Sequence, residues 1–146
     1  MRRLLASAGR ITVAAIIGVA IVNPILLYFR QEELLFYPVL MNEGNRKIIK
    51  EKYRNVEEVT LTAGDRTTLH GWLQRAQGAG RSPLLIYFGG NAEDLSFLPA
   101  KADRVEGWSL LVINYRGYGL SGGEPGQKAF LEDALLIHDT FARRDD

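Results

Sequence analysis

Ser121 and the glycines around it carry the most chemistry-like spelling in this chain. The stretch Arg116-Gly-Tyr-Gly-Leu-Ser-Gly-Gly-Glu-Pro125 fits G-x-S-x-G over Gly119 to Gly123 and G-x-G-x-x-G over Gly117 to Gly122. The first pattern belongs to a nucleophilic serine on a sharp turn between strand and helix, its hydroxyl raised toward an acyl carbon. The second belongs to a dinucleotide cradle, whose glycines pass straight into the helix that holds a pyrophosphate. Both demand a loop that is short on both sides. Here Arg116 to Leu120 separate Ser121 from the strand-like run ending at Tyr115, and Gly122 to Gly126 delay the next helix. Position therefore rejects Ser121 as the nucleophile and rejects the cradle, and no cofactor is expected.

The other groups capable of chemistry are scattered. His138 falls in the middle of a helical pattern and reads as a helix-flank residue rather than a general base. His70 falls within a strand, away from the strand ends where ligands collect in open α/β sheets. Asp94, Asp133 and Asp139 read as helix-surface charges. The chain has no cysteine and two histidines, which excludes a thiolate nucleophile, a disulfide framework and a recognisable metal motif. With 18 basic and 17 acidic residues, and no basic stripe with interleaved aromatics, nucleic acid is not an expected partner.

The elements that would position these groups follow from periodicity. Ile11 to Phe29 is an uncharged run of 19 residues, long enough to cross a hydrocarbon core of roughly 30 Å. A cleaved signal peptide is the rival reading, but its one small-x-small site, Gly18-Val-Ala20, would leave a greasy new terminus. A lipid bilayer is therefore an expected partner. Arg2, Arg3 and Arg10 before the span nearly balance Arg30, Arg46 and Lys47 after it, leaning toward a cytoplasmic N-terminus and a soluble part on the non-cytoplasmic side. Residues 31–55 read as a polar juxtamembrane linker, in which Arg46, Lys47, Lys50, Lys52 and Arg54 are diluted by glutamates into a solvated face.

From Val56 the pattern becomes regular. Val56 to Thr62, a turn at Ala63 to Arg66, and Thr67 to Arg75 predict a hairpin with Leu69, Gly71 and Leu73 on one face against His70 and Trp72. Pro83 to Phe88 and Ser109 to Tyr115 are continuous apolar runs, expected as strands covered on both faces. Between them, Leu95, Leu98, Ala102 and Val105 predict a short helix, with Pro99 in its first turn and Gly107 as its stop. Gln127 to about Arg143 predicts a longer helix with Phe130, Ala134, Ile137 and Phe141 on one stripe. Strand, helix, strand, helix predicts an α/β domain over 56–146 built on a mainly parallel sheet, preceded by the tip and anchor over 1–30.

Four motifs together, LLFYP after the apolar run, LHGW after a turn, LLIYFGGNAED, and LLVINYRGYGLSGGEP, resemble the front part of membrane-anchored α/β-hydrolases of the serine-aminopeptidase-like type. The likeness runs from about Gln31 to the end. It implies an incomplete α/β-hydrolase core, with the backbone N–H of Asn91 as an oxyanion-hole donor at the motif glycines Gly89 and Gly90, where Gly89 replaces the family's usual histidine. It also implies that the RGYGLSGGEP loop is structural and lies upstream of the true nucleophile elbow. No second G-x-S-x-G occurs in the sequence. The expectation is thus a truncated membrane-anchored serine hydrolase, acting in its family on esters, thioesters or amides, but lacking nucleophile, acid and histidine. The alternative is a membrane-tethered interaction module whose half-sheet pairs with a protein partner.

Overall fold

The computed structural model describes residues 2–53, 55–78, 81–98 and 105–142, with the side chains of 2–8 and 11 left aside. The chain divides into two compact units, Met1–Leu35 and Phe36–Asp146. The first is the single helix α1 (Arg2–Leu35), which carries Pro24 inside it. Its segment Thr12–Leu35 has 24 residues and is long and apolar enough to cross a membrane; at 1.5 Å per residue it spans about 36 Å. Ile16, Ile17, Val19, Ile21 and Val22 are all exposed and, at 3.6 residues per turn, point to all sides of the helix. An all-round apolar surface of this kind suits lipid rather than one side of a protein core.

The second unit is built on a mixed four-stranded sheet of β1 (Val56–Thr62), β2 (Thr68–Gln74), β3 (Leu84–Phe88) and β4 (Ser109–Ile113). The order is β1-β2-β4-β3. The predicted hairpin forms, with Val59 opposite Gly71 and Thr62 opposite Thr68. β2 also pairs antiparallel with β4, and β3 runs parallel to β4. The α/β expectation is met, although β3 and β4 form the one parallel pair among the described strands.

The two sheet faces carry separate cores. One gathers Met41, Ile49, Trp72, Leu95, Leu110 and Val112. The other gathers Val59, Leu69, Leu73, Leu111, Ile113, Ile137 and Phe141. This is the alternation expected of β2, with Leu69, Gly71 and Leu73 opposite His70 and Trp72. Helix α2 (Glu43–Lys52) supplies Ile49 to the first face, and α3 (Gln127–Phe141) supplies Ile137 and Phe141 to the second. α2 starts where Asn42 Oδ1 accepts the Gly44 N–H at 2.7 Å, an ordinary N-cap. Residues expected as a polar linker thus include a helix that packs by one isoleucine.

β4 is covered on both faces, as a continuous apolar run predicts. β3 is not, because it stands at the sheet edge, and Leu85 and Tyr87 each keep 37% of their surface exposed. Where a helix is expected between β3 and β4, residues 95–98 form a 3₁₀ turn, and 99–104, with Pro99 and Ala102, lie outside the described residues.

Candidate functional site

Beyond Phe88 the chain leaves β3 through Gly89, Gly90 and Asn91. A Cβ on Gly89 would stand 2.7 Å from Leu95 Cδ2, so a larger residue here would require the Leu95 side chain to shift. The Tyr115 hydroxyl donates to the Gly89 carbonyl at 2.9 Å. The Gly90 N–H donates to Glu93 Oε2 at 2.7 Å, an oxygen that also accepts from the Tyr87 hydroxyl at 3.2 Å. Asn91 Oδ1 accepts from the Tyr118 hydroxyl at 2.8 Å, from the Tyr37 N–H at 2.9 Å and from the Ala92 N–H at 3.1 Å. Ala92 itself takes the left-handed conformation, with φ of 58°, which a non-glycine residue adopts only when its surroundings fix it.

Ser121 lies apart from this turn in its bonding. It is buried, accepts the His70 N–H at 2.9 Å and donates to the Asn114 carbonyl at 2.9 Å. Beside it the Gly122 N–H donates to the Thr68 carbonyl at 2.8 Å. The hydroxyl thus bridges backbone groups of β2 and of the residue just after β4, closing the space where their pairing ends. Both of these hydrogen bonds are to main chain, and neither partner can act as a base. Gly119 is required nearby, since its φ is 58° and a Cβ there would meet Asn114 Nδ2 at 2.4 Å.

The loop is fixed to α3 by Arg116. Its Nε and Nη2 each donate at 2.8 Å to the two carboxylate oxygens of Asp133, and its Nη1 reaches Asp65. Asp133 is therefore not a helix-surface charge, because only 8% of its side chain is exposed. It sits on the buried stripe of α3 three residues after Phe130, where a carboxylate needs a guanidinium to compensate for lost water.

His70 makes a different ion cluster. Its Nε2 lies 2.7 Å from Glu58 Oε1, and the same carboxylate receives Arg46 Nε at 2.7 Å and Lys50 of α2. Burial would raise the Glu58 carboxyl, but the hydrogen bonds from Arg46, Lys50 and His70 outweigh it and lower the pKa to about 2. Burial likewise lowers His70 below its usual 6.5, against the opposing pull of Glu58. Both shifts have one sign for stability. Each group binds protons more readily when unfolded, so each contributes stability that is lost as pH falls. Urea midpoints should decline below about pH 6.5 through His70 and again between about pH 4.5 and 2 through Glu58. Glu58→Gln should lessen the second decline, leaving the part that belongs to Asp65, whose carboxyl is also lowered to about 2 by hydrogen bonds from Thr67 and Arg116, and an unchanged acid limb in that variant would contradict the assignment.

His138 lies on the outer face of α3 with 67% of its side chain exposed, 3.3 Å from Asp139. Asp94 accepts from the Ser96 N–H and hydroxyl and caps the turn over 95–98. Among the described residues no group of three or more His, Asp or Glu is placed to hold a metal. Sequence reasoning missed Glu58, although its place opposite Trp72 in the hairpin, two residues from the Thr60–His70 pair and so on the same face of the sheet, was implicit in the register.

No family model matches the chain. It is similar to the α/β-hydrolase domain-containing protein WAV2 of Arabidopsis thaliana, with 28% identity over 140 residues, covering 88% of this chain and 44% of the relative. It is also similar to the protein bem46 of Schizosaccharomyces pombe, with 28% identity over 113 residues, 73% of this chain and 38% of the relative. Among solved structures, the α/β-hydrolase GrgF from Penicillium sp. sh18 matches at 31% identity and a TM-score of 0.44, over 59% of this chain and 32% of that one. The chain spans under half the length of these curated relatives. The α/β-hydrolase likeness expected from the motifs is borne out by the curated relatives.

Proposed function

We propose that this chain supplies the N-terminal, oxyanion-bearing portion of a membrane-anchored serine hydrolase acting on an ester, thioester or amide. The observation that carries the reading is the Gly89-Gly90-Asn91 turn at the carboxyl end of a strand that is parallel to its neighbour, the end of an open α/β sheet where ligands bind. The Asn91 backbone N–H is the oxyanion donor in this reading. Ser121 is structural, since its hydroxyl is engaged by the His70 N–H and the Asn114 carbonyl. Nucleophile, acid and imidazole come from outside these residues in this reading, and residues 1–146 by themselves do not hydrolyse the substrate. The apolar segment Thr12–Leu35 is the single-pass anchor, with the soluble unit on the non-cytoplasmic side.

The open side of β3 supports a second role for the same unit. Its backbone edge is unpaired among the described strands, and Leu131 and Leu135 of α3 are 56% and 66% exposed. A polypeptide that adds a parallel strand to β3 would complete the sheet. Whether that strand comes from the remainder of a hydrolase or from a non-catalytic partner separates the two readings.

The test is to join to the chain the part of WAV2 that lies outside the match, and to assay ester hydrolysis in detergent. The extended protein should be active, and Asn91→Pro, which deletes the N–H, should lower kcat by about 10²- to 10³-fold. A folded extended protein without activity, or one indifferent to Asn91→Pro, would overturn the reading.

A further inference from the structure

The Asn91 turn is gripped by two segments that acyl transfer does not itself require. The first is a strap just beyond α1. The Met41 N–H donates to the Gly119 carbonyl at 3.1 Å and the Gly119 N–H donates to the Val39 carbonyl at 2.8 Å, a short parallel bridge between Leu40 and Gly119. This pairing sets the strap on the glycine loop and places the Tyr37 N–H 2.9 Å from Asn91 Oδ1 and 3.0 Å from the Tyr118 hydroxyl. The second segment is the glycine loop, whose Tyr118 is 1% exposed and packs edge-on against Tyr115. The one proton of the Tyr118 hydroxyl goes to Asn91 Oδ1, and its oxygen accepts from Tyr37.

We infer that Tyr118 and the backbone of Tyr37 are positioning groups for the Asn91 turn, holding its N–H where the proposed hydrolase needs an oxyanion donor. The inference rests on that reading of Asn91. Two donors from separate segments meet on one carboxamide oxygen, and that oxygen also receives the Ala92 N–H at 3.1 Å. Fixing Oδ1 between the side chain's own next peptide and two outside donors fixes the backbone of residues 91 and 92, including the left-handed Ala92. Tyr115 sets the other end. With the Gly89 carbonyl turned to its hydroxyl, the trans peptide directs the Gly90 N–H the opposite way. The tyrosines of YRGYG and of LLFYP thereby acquire a common task. Misplacement of a catalytic donor by about 1 Å is enough to cost two orders of magnitude in rate.

The test compares Tyr118→Phe, Asn91→Ala and Asn91→Asp in the full chain in detergent micelles, and again in the extended protein described above. Tyr118→Phe and Asn91→Ala should speed amide hydrogen exchange at Asn91 and Ala92 by about five- to tenfold, with Trp72 and Leu111 in the central strands unchanged. Asn91→Asp keeps an acceptor oxygen and should restore protection. In the extended protein the first two variants should lower kcat at least tenfold with KM within twofold, and Asn91→Asp should recover most of it. Unchanged exchange at 91 and 92, or an active extended protein whose kcat ignores Tyr118→Phe and Asn91→Ala, overturns the inference while leaving the hydrolase reading intact. An inactive extended protein whose exchange responds as expected defeats the hydrolase reading and leaves the clamp standing.

Discussion

Arg116→Ala should destabilise the second unit by about 3–5 kcal/mol, the usual consequence of stranding one member of a buried ion pair. Asp133 would remain with 8% of its side chain exposed and without its bidentate guanidinium. The Asp65 turn between β1 and β2 would also lose its link to the loop. Arg116→Lys should recover little, since an ammonium cannot present two parallel N–H groups to one carboxylate. The double variant Arg116→Met with Asp133→Leu should return close to the parent, because the charge needing compensation has gone. Denaturant midpoints in detergent check all three. A single variant that melts with the parent would show that the pair is solvated.

Ser121→Ala should cost about 2–4 kcal/mol, because it leaves a buried donor, the His70 N–H, and a buried acceptor, the Asn114 carbonyl, each without this partner. Asn114 also donates its own N–H to the His70 carbonyl at 2.9 Å, so the loss falls where β2 and β4 cease to pair. A nucleophile behaves differently. Enzymes tolerate its truncation with their fold intact, whereas a buried bridging hydroxyl is felt in stability. Thermal unfolding of Ser121→Ala within half a degree of the parent would count against the bridging role.

The strands and α3 were legible because their signal is local. Continuous apolar runs mark β3 and β4, and alternating segments on either side of a turn mark β1 and β2. What the sequence hid is long-range compensation. α2 has one buried isoleucine among charges and reads as solvated until Arg46 and Lys50 are seen on Glu58. Asp133 looks like a surface charge until Arg116 is placed against it, although its position between Phe130 and Ile137 on the stripe was a usable warning. β3 reads as doubly covered because apolar content does not reveal which strand stands at an edge. For the site, spacing alone separated Ser121 from its spelling, but no pattern in the sequence announced that Tyr37 and Tyr118 converge on Asn91.

The central claim is that the serine of RGYGLSGGEP bridges backbone and does not attack acyl groups. Its most direct test is treatment of residues 1–146 in detergent with a fluorophosphonate, followed by intact mass and peptide mapping. The account predicts no adduct at Ser121 under conditions that fully label a known serine esterase. An adduct at Ser121 that disappears in Ser121→Ala would contradict it.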